Sequence, residues 1–255
     1  MTQPIMKNHF AEIAASYEDV RLTDMEPVRS IMPFLCNGPL KGIDVGCGNG
    51  RYTRLLAQHI GQRLTLVAAD ASQEMLDVLA IGSPELQTYC SNAEALPLAS
   101  GEYDFITTFN AVHHFDIPRF FAEACRLLKP KGLLFVYTRT PAQNAQSIWG
   151  RCFPMFNQVE TRLRRIGDFL SMAIECEFAV ANIEVFRYHR VASLQELVRR
   201  ARSFHYSTFR LIPEEHFEDC IAAFERIVKT NVDSGQVKWV DSNVLLVFGK
   251  PGKFR

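Results

Sequence analysis

The sequence predicts an α/β fold: a doubly wound, mostly parallel sheet of seven strands with helices on both faces. Between residues 41 and 140, short apolar runs rich in β-branched residues alternate with segments of helical periodicity. This alternation is typical of parallel strands joined by helices that cover the sheet. A chain of 255 residues with 47% hydrophobic residues is also long enough to bury a full core without disulfides or a structural metal.

The first part of the chain supplies most of the sheet. Strands are predicted at residues 42–46, 64–70, 86–90, 103–110 and 132–138. Helices are predicted at residues 50–60, from Ser72 to about Leu79, and at 118–128. The last of these has an apolar stripe at helical spacing, made of Phe120, Phe121, Ala124, Leu127 and Leu128. Lys129 and Pro130 then end the helix before the next strand.

The pattern changes after Pro141, where aromatic and polar residues mix and predict a helical insert ahead of the sixth strand at 182–191. Two more helices, one capped by Ser193 and one opened by Pro213, lead to a final strand at 238–250. We expect one domain, divided into an N-terminal helical cap (1–40), a core (41–140), an insert that includes strand six (141–212) and a final helix and strand (213–255).

Composition excludes several classes of protein. Lys and Arg number 28, as do Asp and Glu, so no global field draws the chain to nucleic acid or to an anionic membrane. The sequence shows no signal peptide and no run of about 18 apolar residues that would span a membrane. The seven cysteines form no CxxC pair, which predicts reduced thiols, a cytoplasmic location and no metal. A thiol site assembled only in space stays open.

The stretch IDVGCGNGRYTRLLAQ, at 43–58, places three glycines directly after the first strand. Ligands of open parallel sheets bind beyond the carboxyl ends of the strands, where a glycine-rich turn lets backbone amides approach them. The pattern here is G-x-G-x-G, and Arg51 replaces the third glycine of the dinucleotide motif G-x-G-x-x-G. A dinucleotide, S-adenosylmethionine, or a tight turn without a ligand are the alternatives.

Asp70 favours a nucleoside-bearing cofactor. It ends the second predicted strand, 20 residues beyond Gly50. A carboxylate at this place accepts both hydroxyls of a ribose, a geometry that nucleotide and adenosyl cofactors share. The alternative is an acid that supports the start of the following helix, a role that Ser72 also fills.

Six segments in order carry a resemblance over about residues 10 to 140: HFAEIAASYEDVR (9–21), IDVGCGNG (43–50), AADASQEML (68–76), SNAEALPLASGEYDFI (91–106), FNAVHHFDI (109–117) and CRLLKPKGLLFV (125–136). On these the chain resembles the class I S-adenosylmethionine-dependent methyltransferases, in the subgroup similar to the ubiquinone and menaquinone biosynthesis methyltransferases. The resemblance implies a Rossmann-like sheet and S-adenosylmethionine as the cofactor.

The resemblance also implies roles for individual residues. The backbone of the glycine loop would pack on the methionine moiety, Asp44 would orient its ammonium, and Asp70 would hold the ribose. Many relatives carry aspartate where this chain has Asn92, whose carbonyl still accepts a hydrogen bond from adenine but without charge. The implied cofactor site comprises Tyr17, Arg21, Asp44, Gly46, Cys47, Gly48, Asp70, Ala71, Met75, Asn92, Ala93, Glu94 and Asn110.

Methyl transfer is an in-line displacement, in which the protein mainly positions the acceptor and excludes water. A base is needed only where the acceptor must lose a proton. His113 and His114 follow the fourth strand and are candidates, with His114 slightly favoured. The alternative is that the pair anchors a loop.

The acceptor is expected to contact the insert and the loop at 203–212. Trp149, Phe153 and Phe156 form either an apolar lid over the acceptor or a small secondary core. His205 and Tyr206 are candidates through their place in the insert. Residues 187–210 contain six arginines against one acid, which indicates either recruitment of an anionic acceptor or RNA, or a solvated helix face.

Three functions compete. The leading hypothesis is a cytoplasmic methyltransferase for a small organic acceptor. The second is a tRNA methyltransferase, because GCGNGRY (46–52) and HHF (113–115) also resemble the group that acts on modified wobble uridines. The zero net charge and the lack of an added RNA-binding module argue against it. The third is a non-catalytic protein, which is favoured only by the departure from the family pattern at Asn92. A nicotinamide-dependent dehydrogenase is disfavoured by Arg51.

Overall fold

The computed structural model describes residues 23–230 and 234–252. One sheet of seven strands has the order β3-β2-β1-β4-β5-β7-β6. The strands are β1 (Leu40–Val45), β2 (Leu64–Asp70), β3 (Gln87–Cys90), β4 (Tyr103–Phe109), β5 (Leu128–Thr138), β6 (Ala179–Ala192) and β7 (Val237–Gly249). Strands β1 to β5 pair in parallel, and β7 is antiparallel to both β5 and β6. The predicted mostly parallel sheet is confirmed.

Ten α-helices lie in the described part of the chain. They are α1 (Glu26–Ile31), α2 (Arg51–Ile60), α3 (Gln73–Gly82), α4 (Ile117–Leu127), α5 (Pro141–Gln146), α6 (Ile148–Cys152), α7 (Phe156–Val159), α8 (Ile166–Glu175), α9 (Leu194–Arg202) and α10 (Glu214–Lys229). The predicted helical insert is thus four short helices, α5 to α8. Of the predicted N-terminal helical cap (1–40), residues 1–22 lie outside the described residues.

Among the element boundaries, the start of β5 differs most from the prediction. The helix was expected to reach residue 128 and the next strand to begin at 132, but β5 already begins at Leu128. Leu128 pairs with Tyr103, and the register then shifts before Phe105 pairs with Leu133. Lys131 adopts φ of 67°, so the Lys-Pro-Lys-Gly turn lies within the strand as an irregularity and does not precede it.

Side-chain caps fix where the helices begin. Ser72 Oγ accepts a hydrogen bond from the backbone N–H of Met75 at 3.3 Å, and Ser193 Oγ accepts one from Glu196 at 3.1 Å. Each cap satisfies a backbone donor that the first helical turn leaves without a partner. Both capping serines are therefore placed as the sequence predicts.

Both faces of the sheet are covered. In β5, Leu134 and Val136 pack into one apolar cluster, whereas Phe135 and Tyr137 pack into the cluster on the other face, and all four are at most 1% exposed. Successive side chains of a strand point to opposite faces, so this alternation requires helices on both sides. A third cluster lies in the insert, between α6, α9 and α10.

The strand order reverses between β1 and β4. The carboxyl ends of these two strands lead into the glycine loop and into Asn110. In an open parallel sheet this is where ligands bind. The fold thus brings together the two segments that the sequence marked.

Within the two described ranges, no helix is both long and apolar enough to cross a membrane. The same ranges contain no group of three or more His, Cys, Asp or Glu side chains placed to hold a metal ion. All seven cysteines are free thiols.

Candidate functional site

A cavity of about 750 Å³ opens at the carboxyl ends of β1, β2 and β4. Every described residue of the predicted cofactor site lines it: Asp44, Gly46, Cys47, Gly48, Asp70, Ala71, Met75, Asn92, Ala93, Glu94 and Asn110. The two further predictions, Tyr17 and Arg21, lie outside the described residues. His113 and His114 also line this cavity.

The three loop glycines are required for different reasons. A Cβ atom on Gly46 would lie 2.5 Å from Ala111 Cβ, and one on Gly50 would lie 2.1 Å from Leu79 Cδ1. A Cβ atom on Gly48 would meet nothing within 4 Å, although its φ of +56° is one that side chains rarely adopt. Two glycines therefore make room for the protein's own side chains, and only Gly48 leaves open space beside the cavity.

Asp70 joins the glycine loop to the start of α3. Its Oδ2 accepts a hydrogen bond from the backbone N–H of Gly48 at 2.8 Å, and its Oδ1 accepts one from Ser72 at 2.9 Å. Burial raises the pKa of Asp70, and these backbone donors oppose the rise. Each carboxylate oxygen keeps a second lone pair, so the group can also accept from ligand hydroxyls.

Asp44 is the buried carboxyl of the site, at 1% exposure. Its oxygens accept hydrogen bonds from Thr53 Oγ1 at 2.6 Å and from Thr107 Oγ1 at 3.0 Å. Burial raises the pKa of Asp44 from 3.8 to about 7, although both hydroxyls act in the opposite direction. The group is therefore divided between its neutral and charged forms at neutral pH, and a cation bound beside it would favour the charged form.

Asn49 was missed by the sequence analysis, although it lies between two glycines of the motif. It is 1% exposed and lines the cavity. Its Nδ2 has no hydrogen-bond partner within the described part of the chain. A buried donor without an acceptor is costly, and a ligand oxygen would satisfy it.

The donors and acceptors of this cavity fit S-adenosylmethionine. Open space beside Gly48 suits close approach to the backbone, and Asn49 offers a donor without a partner. Asp44 and Asp70 add two carboxyl groups to the lining, and the chemistry of carboxyl groups suits an ammonium and ribose hydroxyls. The set therefore matches a zwitterion attached to a nucleoside.

The two histidines lie on a single helical turn, Val112–His114, directly after β4 and Asn110. Their ring centroids are 4.1 Å apart. His114 Nδ1 is 3.5 Å from Nη1 of Arg162, which comes from the insert. His113 lines the large cavity and also a second, smaller one.

Glu160 connects two segments of the insert beside the histidines. It forms an ion pair with Arg162, and Oε2 accepts a hydrogen bond from Thr208 Oγ1 at 2.6 Å. Burial by itself would raise the pKa of Glu160, but the hydrogen bonds and charge of Arg162 hold the pKa below its ordinary value. Arg162 also donates to Ser207 Oγ at 3.2 Å, so one arginine connects the loop before α8 with the segment after α9.

The second cavity, of about 100 Å³, adjoins the first and shares Arg51, Tyr52, Asn110 and His113 with it. Among the predicted acceptor residues, Trp149, His205 and Tyr206 line this small cavity.

Phe153 and Phe156 line neither of the two cavities. They pack against Phe209 with ring centroids 5.0 Å apart and are at most 3% exposed. The short helices of the insert turn these rings inward. The structure therefore places them in the small secondary core that was the alternative to a lid.

The arginine-rich stretch at 187–210 does not present one basic face. Arg190 on β6 donates to both carboxylate oxygens of Asp24 at 2.7 Å. On α9, Arg200 pairs with Glu196 at 2.8 Å, and Arg202 pairs with Glu218 at 2.8 Å. Arg190 and Arg200 line the small cavity, whereas Arg202 is exposed.

The sheet order, the glycine loop after β1 and the acid that ends β2 define a class I methyltransferase fold. Residues 43–136 match the protein family described as "Methyltransferase domain". This match confirms the predicted resemblance to the methyltransferases.

Two curated proteins of known activity are similar to about half of this chain. The ubiquinone biosynthesis O-methyltransferase of Bartonella tribocorum is 34% identical over 130 residues, which are 49% of this chain and 49% of that protein. A tRNA (carboxymethyluridine(34)-5-O)-methyltransferase of Macaca fascicularis is 27% identical over 152 residues, which are 57% of this chain and 22% of that protein. The chain thus spans about half, or less, of the length of these relatives.

Among solved structures, the phosphoethanolamine N-methyltransferase 2 of Haemonchus contortus with S-adenosylhomocysteine superposes with a TM-score of 0.57. The match covers 89% of this chain and 52% of that one, at 16% identity. The likeness shows that the two chains share a fold.

Proposed function

We propose that this protein transfers a methyl group from S-adenosylmethionine to a small organic acceptor. One observation carries the proposal: the large cavity at the strand-order switch, bounded by Gly48, Asp44 and Asp70, adjoins a smaller cavity through Asn110 and His113. Two adjoining sites are what a two-substrate transfer needs. The Haemonchus structure, which binds S-adenosylhomocysteine, supports the choice of cofactor by its shared fold.

The chain's own residues would bind and orient. Asp44 would hold the ammonium of the cofactor, Asp70 its ribose, and Asn49 Nδ2 would donate to an oxygen of the ligand. Asn92 and Met75 would contact adenine. When bound, the cofactor supplies an activated methyl carbon and a neutral leaving group. The protein's remaining task is to place the acceptor and to exclude water.

For an acceptor that must lose a proton, we propose His113 ahead of His114. His113 lines both cavities, whereas His114 lines only the large one and lies against Arg162. This order reverses the slight preference of the sequence analysis. A group must be within reach of the proton that it removes, so position decides between the two.

Calorimetric titration with S-adenosylhomocysteine tests the proposal, with NADH as the competing ligand. Wild-type protein should bind S-adenosylhomocysteine and not NADH. Asp70→Asn should weaken binding by about 10- to 100-fold, the usual range for a lost charge-assisted hydrogen bond. Asp77→Asn, a matched change at an exposed position on α3, should not. Binding of NADH in place of S-adenosylhomocysteine, or of neither ligand by folded protein, would contradict the proposal.

A tRNA methyltransferase is the second candidate, favoured by the similarity to the Macaca enzyme. The small cavity and the paired arginines at 187–210 support a small acceptor instead. A tRNA substrate requires phosphate contacts, so its binding must weaken steeply with added salt. Salt-sensitive tRNA binding together with methylation of tRNA would establish this second candidate. The cytoplasmic location stays a prediction.

A further inference from the structure

Three residues of β7 form one wall of the small cavity. Trp239, Asp241 and Asn243 all line it and alternate along the strand, so they share one face of the sheet. Asn243 Nδ2 donates a hydrogen bond to Asn110 Oδ1 at 3.1 Å. Asn110 lines both cavities. We call this row the β7 strip; it leads from the small cavity to the edge of the large one.

Two polar atoms of the β7 strip are buried without hydrogen bonds. Trp239 Nε1 and Asp241 Oδ1 have no hydrogen-bond partner in residues 23–230 and 234–252. Asp241 is only 6% exposed. Buried groups of this kind are uncommon because each costs the free energy of its lost hydration. Two of them on one wall indicate that the small cavity takes a polar ligand.

Arg139 is a cation of this cavity that lies next to the β7 strip. It follows β5 directly, and its side chain is 10% exposed. The nearest approach to Asp241 is 3.5 Å between Nη2 and Oδ1, a loose ion pair that forms no hydrogen bond. The guanidinium also lies 5.5 Å from the ring centre of Tyr206. Arginine has five N–H donors in a flat fork that matches a carboxylate, and a loosely paired arginine can accept a second anion.

The other acids around the cavity are already bound to arginines. Asp24 accepts from Arg190 at 2.7 Å through both oxygens, and Glu160 is paired with Arg162. An ammonium on the acceptor would have to displace one of these arginines or bind Asp241 Oδ1, where the Arg139 guanidinium, 3.5 Å from that oxygen, would repel it. An anion needs no such displacement, because Arg139 and the Trp239 N–H are donors that lack a close acceptor on the β7 strip.

We propose that the methyl acceptor carries a carboxylate group, and that Arg139 with the indole N–H of Trp239 binds this group in the small cavity. The inference rests on the proposed function, which makes the occupant of this cavity the acceptor. A volume of about 100 Å³ suits the carboxylate end of a small molecule, while its reacting end extends past Asn110 and His113. Asp241, the loose counter-ion, competes with the ligand for Arg139.

Acetate and acetamide are matched probes, since they have the same shape and differ in charge. The chain has two tryptophans, Trp149 and Trp239, so their indole N–H signals are readily assigned by NMR with a Trp239→Phe variant. In protein saturated with S-adenosylhomocysteine, acetate should shift the Trp239 signal until the shift saturates. The dissociation constant for acetate should lie in the millimolar range, below about 100 mM. Acetamide should not.

Variants test whether the cavity binds an anion or a cation. Arg139→Gln should weaken acetate binding by at least about tenfold. Arg202→Gln, at an exposed arginine on α9, is the matched control and should change nothing. Asp241→Asn should tighten acetate binding several-fold, because it removes the competitor for Arg139. A cation site would show the opposite response to this last change.

Several outcomes would overturn the proposal: no saturable shift of the Trp239 signal with acetate, equal shifts with acetamide, weaker binding in Asp241→Asn, or a preference for inorganic phosphate over acetate. Should Arg139→Gln fail to fold, Arg139→Lys keeps the charge but loses the fork, and the Asp241 variant tests the site independently. Calorimetric titration of wild type and each variant with S-adenosylhomocysteine separates the two proposals. A failure of wild type to bind S-adenosylhomocysteine would refute the proposed function, but it would not refute the anion site.

Discussion

The backbone N–H of Gly48 donates a hydrogen bond to Asp70 Oδ2 at 2.8 Å, which joins the glycine loop after β1 to the acid that ends β2. The two residues that the sequence marked separately thus form one unit. Asp70 holds the loop open in the shape that leaves space beside Gly48. A change at either residue therefore alters the binding surface and the loop together.

Gly48→Ala should lower cofactor affinity more than stability. A Cβ atom at Gly48 meets no protein atom within 4 Å, so the cost to the free energy of unfolding is the strain of its positive φ, about 1 kcal/mol. The same methyl group occupies space that the ligand needs. Titration with S-adenosylhomocysteine and thermal unfolding should show a large loss of affinity with a small change in Tm.

Gly46→Ala provides the matched comparison, because its Cβ would lie 2.5 Å from Ala111 Cβ. This variant should lose Tm clearly. Equal effects of the two alanines on Tm would refute the distinction between a glycine required by packing and one required by the ligand.

Binding of S-adenosylhomocysteine should release protons through Asp44. With a pKa of about 7, close to half of this carboxyl is protonated at pH 7, and a bound ammonium would favour its charged form. Calorimetry at pH 7 in buffers of different ionisation enthalpy should give a release of up to about half a proton per ligand. Asp44→Asn should abolish the release. Identical apparent enthalpies in all buffers would contradict a role for Asp44 beside the ammonium.

Asp44 should also make the unliganded protein less stable as the pH rises from about 4 to about 7. Its pKa in the folded protein lies above the ordinary value of 3.8, so in this window the native state binds more protons than the unfolded state. The loss is at most on the order of 4 kcal/mol in the free energy of unfolding. The free energies of unfolding of wild type and Asp44→Asn, measured with urea, should converge or cross within this pH window. Parallel dependences of the two free energies on pH would exclude the effect.

Glu160→Gln should destabilise the insert, because it leaves Arg162 without its buried partner. Removing one member of such a pair costs about 3 kcal/mol or more. The pKa of Glu160 is held below its ordinary 4.5, so the pair stabilises the fold above that pH, and the contribution is lost as the pH falls below it. Urea unfolding of wild type and Glu160→Gln at pH 7 and at pH 3 checks both statements. If the variant lost as much free energy of unfolding at pH 3 as at pH 7, the predicted direction of the pH dependence would be contradicted.

Phe153→Ala should destabilise the fold by about 3–5 kcal/mol and leave the affinity for S-adenosylhomocysteine unchanged. The ring is 3% exposed, and its centroid lies within 6.5 Å of the ring centroids of Phe156, Phe209 and Phe224. Thermal unfolding with parallel calorimetry measures both quantities. Weakened cofactor binding in a stable variant would place Phe153 at the site and not in the core.

The order of strands and helices, the capping serines and the glycine loop follow from residues that are close along the chain. Hydrophobic periodicity and capping depend on near neighbours, so the bounds of β2 and the cap at Ser72 were predictable. The insert was less predictable, because α6 and α7 are short helices that are stabilised by packing with α9 and α10 in one apolar cluster. That packing, and not the aromatic composition, decides that Phe153 and Phe156 belong to a core.

What the sequence by itself determined is the fold class and the part of the cavity lining that follows from local motifs: the loop, Asp44 and Asp70. Only the tertiary structure decided that Gly48, unlike Gly46 and Gly50, has open space at its Cβ position, that Asn49 Nδ2 lacks a hydrogen-bond partner in the described residues, and that Arg139 meets the β7 strip. The physical reason is distance along the chain. Asn110 and Asn243 are 133 residues apart and meet only because β7 inserts next to β5, and no local pattern encodes which buried polar atoms such a pairing leaves without partners.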